Sequence, residues 1–194
     1  MIPVTATEEP PDFDQRCRQR GNAWLDQNPD ARRPKDLWSP FRPRLADSFN
    51  NRCAFAAMYI PSGTVDHFLS CDEDRTRAYE WSNFRYVDNW INSAKGNKKV
   101  ADILDPFDMQ PGWFEISLPS LQLVLTDRIP AKYRERAEKT LHTLPIHDDE
   151  RLLRVRRQWL RLYEEGRLSL DGLREMAPLI AEAVERRSIP GVEQ

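Results

Sequence analysis

Apolar side chains recur at helical spacing through the last third of the chain. In DDERLLRVRRQWLRLYEEG, Leu152, Val155, Trp159, Leu162 and Tyr163 lie three to four residues apart or side by side, on one face of a helix. AKYRERAEKTLHTL predicts a helix before it. SLDGLREMAPLIAEAVERR predicts one after it, which Pro178 should kink or divide, because proline removes a backbone donor and clashes with the preceding turn. Between residues 101 and 130 the period shortens. WFEISL alternates in part and LQLVLT is β-rich, with turns supplied by DPF and QPGW. Further upstream, Cys53 to Ile60 is a short apolar run, CAFAAMYI. Pro61, Ser62 and Gly63 follow as a turn, then Thr64 to Phe68, so the pattern predicts a small hairpin. Residues 88–99, DNWINSAKGNKK, predict a helix opened by Asp88 as N-cap and fading at Gly96.

The N-terminal region is less regular. Residues 1–11 are a polar lead-in with Pro10 and Pro11, and a first helix is expected from about Asp12 to Asp26. Its expected buried positions are Phe13, Cys17, Ala23, Trp24 and Leu25, and Gly21 is its weak point. NPDARRPKD reads as a loop. LWSPFRPRLADSFNNR is interrupted by Pro40 and Pro43 and ends in a short helix. The expected fold class is α+β: N-terminal lead-in and helices over residues 1–50, a small strand-and-helix core over 51–100, a strand pair over 101–130 and a helical extension over 131–194. Residues 50–194 would form one compact domain.

Composition narrows the class. With 194 residues, 40% of them hydrophobic, a real core can form, and no apolar run approaches the length of a membrane span. The first fourteen residues lack a basic segment followed by an apolar core, so no secretory leader is expected. Cys17, Cys53 and Cys71 are an odd, scattered set, which points to reduced thiols and a cytoplasmic location rather than a disulfide framework. A net charge of -2 argues against attachment to nucleic acid by bulk electrostatics, although residues 151–167 carry six Arg against two Glu.

Candidate chemistry concentrates between Gly63 and Asn97. Asp66 and His67 are adjacent, Asn83 follows His67 by sixteen residues, Asn92 follows Asn83 by nine, and Lys95 comes three later. A neutral imidazole can take a proton from water near physiological pH. A carboxylate, an amide oxygen, waters and a substrate phosphate together suit Mg²⁺. Neighbours on a strand point to opposite faces, yet at a strand end both Asp66 and His67 can border one cleft. An amide such as Asn83 can fix the loop around the base.

These residues resemble the HNH, or ββα-metal, endonucleases. DHF at a strand end, WSNFR in the next segment and NSAKGN on the helix carry the resemblance over roughly residues 50–100. It implies a ββα core and metal-dependent hydrolysis of DNA with Mg²⁺, Mn²⁺ or another divalent ion. His67 would be the general base, Asp66 and Asn92 the metal ligands, and Asn83 the residue that orients the loop bearing His67. It also implies a setting in restriction or anti-phage defence, with an ATPase or other defence-system subunit as a partner class. The alternative within this reading is a non-catalytic, HNH-derived module that binds nucleic acid or a partner ATPase.

One departure bears on stability. Many members of the family hold a structural zinc on two CxxC pairs. Here Cys53 stands at the first position, but Ala56, Asp88 and Ile91 stand at the others, so no structural zinc is expected. Packing by Phe55, Tyr59, Trp90 and Ile91 would replace it. Arg85, Lys95, Lys98 and Lys99 cluster around the motif and are the expected DNA contacts. Arg154, Arg157 and Arg161 share a helix face that reads as solvated, His142 and His147 read as surface residues, and Trp113 and Phe114 read as core.

Overall fold

The structure is a computed structural model in which residues 1–187 are described. A π-helical stretch, Asp14–Gln19, runs directly into α1, Arg20–Gln27. Phe13, Cys17 and Leu25 are buried and Trp24 half-buried, whereas Ala23, expected inside, is exposed. The wider π turns shift the inward stripe of the helix, so a strict 3.6-residue reading misplaces Ala23. After a loop and a single 3₁₀ turn, Ser39–Phe41, comes α2, Arg42–Ser48.

The central hairpin differs from the expected one. β1, Thr64–His67, pairs antiparallel with β2, Phe84–Val87, not with Cys53–Ile60. Register explains the choice. It sets Val65 opposite Tyr86 and His67 opposite Phe84 on one face, and Asp66 opposite Arg85 on the other, so both faces match in character. The CAFAAMYI run is rich in alanine, which strands disfavour. It closes instead into a tight turn: the Cys53 amide donates to the Met58 carbonyl and the Ala57 amide to the Cys53 carbonyl, each at 2.9 Å, with Ala57 at φ +57°.

Several contacts hold this turn in place. The Ala54 amide donates to the Tyr86 carbonyl at 2.8 Å, and the Asp88 amide to Cys53 Sγ at 3.5 Å. Phe55 and Ile91 are fully buried. Trp90 is half-buried beneath the Arg151 guanidinium, 3.9 Å from its ring centroid, and Tyr59 lies at the surface. The helix that completes the unit, α3, spans Asn89–Lys95. Asp88 caps it by accepting from the Trp90 amide at 3.2 Å, and Gly96 ends it at φ +50°.

The remaining elements follow the sequence pattern closely. β3, Phe114–Ile116, pairs antiparallel with β4, Leu123–Leu125, and Trp113 and Phe114 are buried. α4 spans Ala131–Thr143 and α5 spans Glu150–Glu164, the latter capped by Asp149. Pro178 divides the last helical segment into α6, Leu170–Met176, and α7, Pro178–Arg187, which packs on β3. Residues 188–194 of the expected helical extension lie outside the described residues. Arg156, buried on α5, donates to the carbonyls of Leu121, Ile146 and His147 and so ties the β3–β4 connection to the start of α5. Among the described residues no helix is long and apolar enough to cross a membrane.

Gly21 has a packing role. A Cβ there would lie 2.3 Å from the Tyr79 ring, so only glycine lets that ring rest against α1. Alanine ordinarily favours a helix interior over glycine by about 1 kcal/mol. Here Gly21→Ala is expected to reverse that sign and destabilise by about 1–3 kcal/mol, the usual cost of overpacking, lowering the melting midpoint measured by circular dichroism.

Candidate active site

Strand β1 ends at an open cavity of about 480 Å³ that is bordered by both Asp66 and His67, together with Asn92, Ser93, Trp38 and the loop residues Arg32, Arg33 and Pro34. The two motif residues leave the strand on opposite faces and still reach one cleft, because the sheet stops there.

His67 is held from three sides. Its ring meets Trp38 edge-on at 4.5 Å and Phe84 at 5.1 Å. Nε2 lies 2.9 Å from the Ala78 carbonyl. A carbonyl only accepts, so Nε2 carries the hydrogen of the neutral ring, and Nδ1 keeps its lone pair. Burial is the main influence on the ring's acidity and pulls its pKa below the usual imidazole value, with the Ala78 bond opposing it. The ring is therefore neutral at physiological pH.

Asn83 fixes the loop that supplies this carbonyl. Its Oδ1 accepts from the Leu69 amide at 2.8 Å, and its Nδ2 donates to the carbonyls of Leu69 and Arg77, each at 3.0 Å. It thus clamps the residue two after His67 to the residue before Ala78.

Asp66 is almost fully buried. Lys95, at the end of α3, donates to Asp66 Oδ1 and to the His67 carbonyl, both at 2.9 Å. The other carboxylate oxygen, Oδ2, is buried with no hydrogen-bond partner. Asn92, one turn before Lys95, makes a long 3.5 Å approach from Nδ2 to the Val65 carbonyl and leaves its Oδ1 without a protein partner among the described residues. An orphaned carboxylate oxygen and a free amide oxygen at one cleft fit a hard divalent cation. Ser70 borders the same cavity, and its Oγ is also buried without a partner.

Two of the expected DNA contacts are corrected by this geometry. Arg85 is buried: it forms a two-pronged pair with Asp105 at 2.8 and 2.5 Å and lies 3.6 Å from the Phe107 centroid. Lys95 is likewise buried and fully engaged. Neither can reach a phosphate, because β2 and the last turn of α3 turn these cations inward. Lys98 and Lys99 remain exposed, with Lys98 Nζ on the Ala94 carbonyl. Arg154, Arg157 and Arg161 are exposed on α5, the first two near Glu150 and the third near Glu165. His142 and His147 border a separate hollow with Lys98 and Arg151, and His147 Nδ1 is bonded to the Leu123 carbonyl. The Cys71 thiol borders the main cavity, but burial raises its pKa, so it stays protonated and is a poor nucleophile.

Sequence reasoning missed Trp38, Arg32, Arg33 and Ser70. An Arg-Arg-Pro run in a loop carried a faint signal of charge, while Trp38 carried none, since its contact with His67 bridges distant segments.

Removing one partner of a buried ion pair leaves an uncompensated charge, at a cost of about 3–5 kcal/mol. Lys95→Met is expected to destabilise the protein by that much in urea unfolding, whereas Lys98→Met, on the exposed side of the same segment, should change stability by less than about 0.5 kcal/mol. Equal effects from the two would show that the Asp66–Lys95 tie is energetically idle. No protein-family model matches this chain, and no curated protein sequence matches it.

Proposed function

We propose that the chain is a metal-dependent phosphodiesterase of the HNH type that hydrolyses DNA. One observation carries this reading: the neutral His67 ring is fixed through Nε2 so that Nδ1 is free at a cleft shared with the orphaned Asp66 oxygen. In the reaction, Nδ1 removes a proton from a water molecule as that water's oxygen attacks phosphorus. The bond to the leaving oxygen breaks, that oxygen takes a proton from solvent, and the imidazolium formed stays in contact with the Ala78 carbonyl until it returns its proton to solvent. Asn83 and Lys95 act by position, the first holding the loop around His67 and the second holding Asp66 and the His67 backbone.

Asp66 Oδ2 and Asn92 Oδ1 are the groups that would hold Mg²⁺ or Mn²⁺. Such an ion, when bound, supplies charge neutralisation at the phosphate and the departing oxygen. Among the described residues no three His, Cys, Asp or Glu side chains converge on a metal site, so its remaining ligands would come from water and phosphate. Restriction or anti-phage defence, alongside an ATPase or other defence-system subunit, is the setting this reading suggests.

The second reading is a binding module that cuts nothing. It is favoured by Lys95, whose ammonium already neutralises Asp66 and so competes with any metal there.

Plasmid cleavage with Mg²⁺ or Mn²⁺ separates the two. The wild type should nick or linearise DNA, and His67→Ala should lower the rate by about 10²–10⁴-fold, as expected for losing a general base. Cleavage that persists in His67→Ala removes the base from His67, and an inert wild type favours the binding module. The pH profile adds a signed test. A base whose pKa burial lowers stays unprotonated further into acid, so the rate should rise with pH along a limb whose midpoint lies below the ordinary imidazole value of 6.5. A midpoint above that value would contradict the role of the buried ring.

A further inference from the structure

The wall of the cavity opposite β1 and α3 comes from the loop between α1 and the Ser39–Phe41 turn, and it is built as a strap anchored at both ends. Arg75, in the β1–β2 connection, donates to the Asn28 carbonyl at 2.5 Å and the Ala31 carbonyl at 2.8 Å. Tyr79 donates through its hydroxyl to the Lys35 carbonyl at 2.8 Å. Between these anchors stand Arg32, Arg33 and Pro34, the three loop residues that border the cavity. Both arginines are exposed, and neither guanidinium has a hydrogen-bond or ion-pair partner among the described residues. Of the nearby acids, Asp66 is neutralised by Lys95, whereas Asp72, on the same cavity, and Asp36 accept from the neutral Asn97 and Ser39 and keep their charge without pairing with either arginine.

Other arginines, such as Arg42 and Arg44, also lack a side-chain partner among the described residues, but only Arg32 and Arg33 combine that freedom with a place on the cavity and a backbone tied on both sides. A guanidinium presents a planar fork that matches phosphate oxygens, and fixing the backbone beneath it lowers the ordering cost of binding. The strap also continues into Trp38, which packs on His67, so it is in register with the base.

We infer that Arg32 and Arg33 form a phosphate clamp that grips the DNA backbone beside the bond His67 addresses. This rests on the nuclease reading for the identity of the substrate, not for the presence of the clamp. The clamp takes the place of the buried Arg85 and Lys95 as the main electrostatic contact at the site, and it localises positive charge on a chain whose net charge is -2.

The test uses the full chain carrying His67→Ala, so that DNA is bound without being cut. Binding to a fluorescein-labelled 20-base-pair duplex is read by anisotropy across a salt series. Arg32→Gln with Arg33→Gln should weaken binding by about tenfold or more, and should flatten the slope of log affinity against log salt by about 1.8, the value for two lost phosphate contacts on duplex DNA. Arg32→Lys with Arg33→Lys should recover much of the affinity, and Arg154→Gln with Arg157→Gln on α5 should change neither quantity. Unchanged affinity and slope in the glutamine variant overturn the clamp, as does failure of the His67→Ala chain to bind the duplex at all. Cleavage by the chain with His67 intact is read separately. If that chain is inert while binding still depends on the two arginines, the nuclease reading fails and the clamp stands.

Discussion

The site depends on one buried ammonium. Lys95 reaches from the last turn of α3 to the Asp66 carboxylate and the His67 carbonyl, with almost no exposure on either side chain of the pair. An isolated charge in that position would be several kcal/mol too costly to retain, and the pair is tolerable only because the ammonium makes two well-formed bonds at once. Its effect is geometric. The helix end is tied to the strand end through both residues of the Asp-His dipeptide, so the carboxylate, the ring and Asn92 one turn back cannot move independently. The tie takes only one carboxylate oxygen, and the other remains buried and unsatisfied at the cleft. A polar group left in that state signals either strain or an absent partner, and the cavity beside it favours the partner.

The second constraint is the docking of the Cys53–Ala57 turn by ordinary contacts. The turn around Cys53–Ala57 docks on β2 through the Ala54 amide and on the start of α3 through the cysteine sulfur, while Phe55 and Ile91 fill the interior. Each of these contacts is individually weak, so the region leans on its neighbours. Arg151 from α5 covers Trp90, and α2 packs against both strands of the hairpin. The flanking segments are therefore part of what keeps the ββα unit in shape. On the N-terminal side the same logic runs from Gly21 through Tyr79 to the strap at Lys35: a missing side chain on α1 makes room for a ring whose hydroxyl then holds the cavity wall.

What the sequence disclosed follows the range of the interactions. Asp88 as an N-cap, the division at Pro178, the β3–β4 pair and helices α4 and α5 were legible because each depends on residues a few positions apart. That Asp66, His67 and Asn92 border one cleft was an expectation from the motif resemblance, while Asn83 lies behind it on the loop it bonds. The partner of β1 was not legible, because CAFAAMYI is as apolar as a strand and the cross-strand matches that decide against it, Asp66 with Arg85 among them, join residues about twenty apart. Arg85 and Lys95 read as surface cations since sequence records charge and not direction, and their partners Asp105 and Asp66 lie twenty and twenty-nine residues away. Trp38 was invisible, and the arginine strap showed only as loop charge, for the same reason: Arg75 reaches back 44 and 47 residues to fix that loop.

Charge balance then constrains how such a site could work. With Lys95 already on Asp66, a divalent cation at the free oxygen would leave an excess of positive charge in a partly buried space, and the two free guanidinia across the cleft add to it. A phosphodiester removes part of that excess. Metal and substrate would therefore favour each other's binding, and by linkage the preference must be mutual. On the proposed nuclease reading, the cleft would suit an ion together with a phosphate better than an isolated ion. On that reading, the ion pair that organises the residues would also keep the site weakly metallated until a nucleic-acid backbone occupies it.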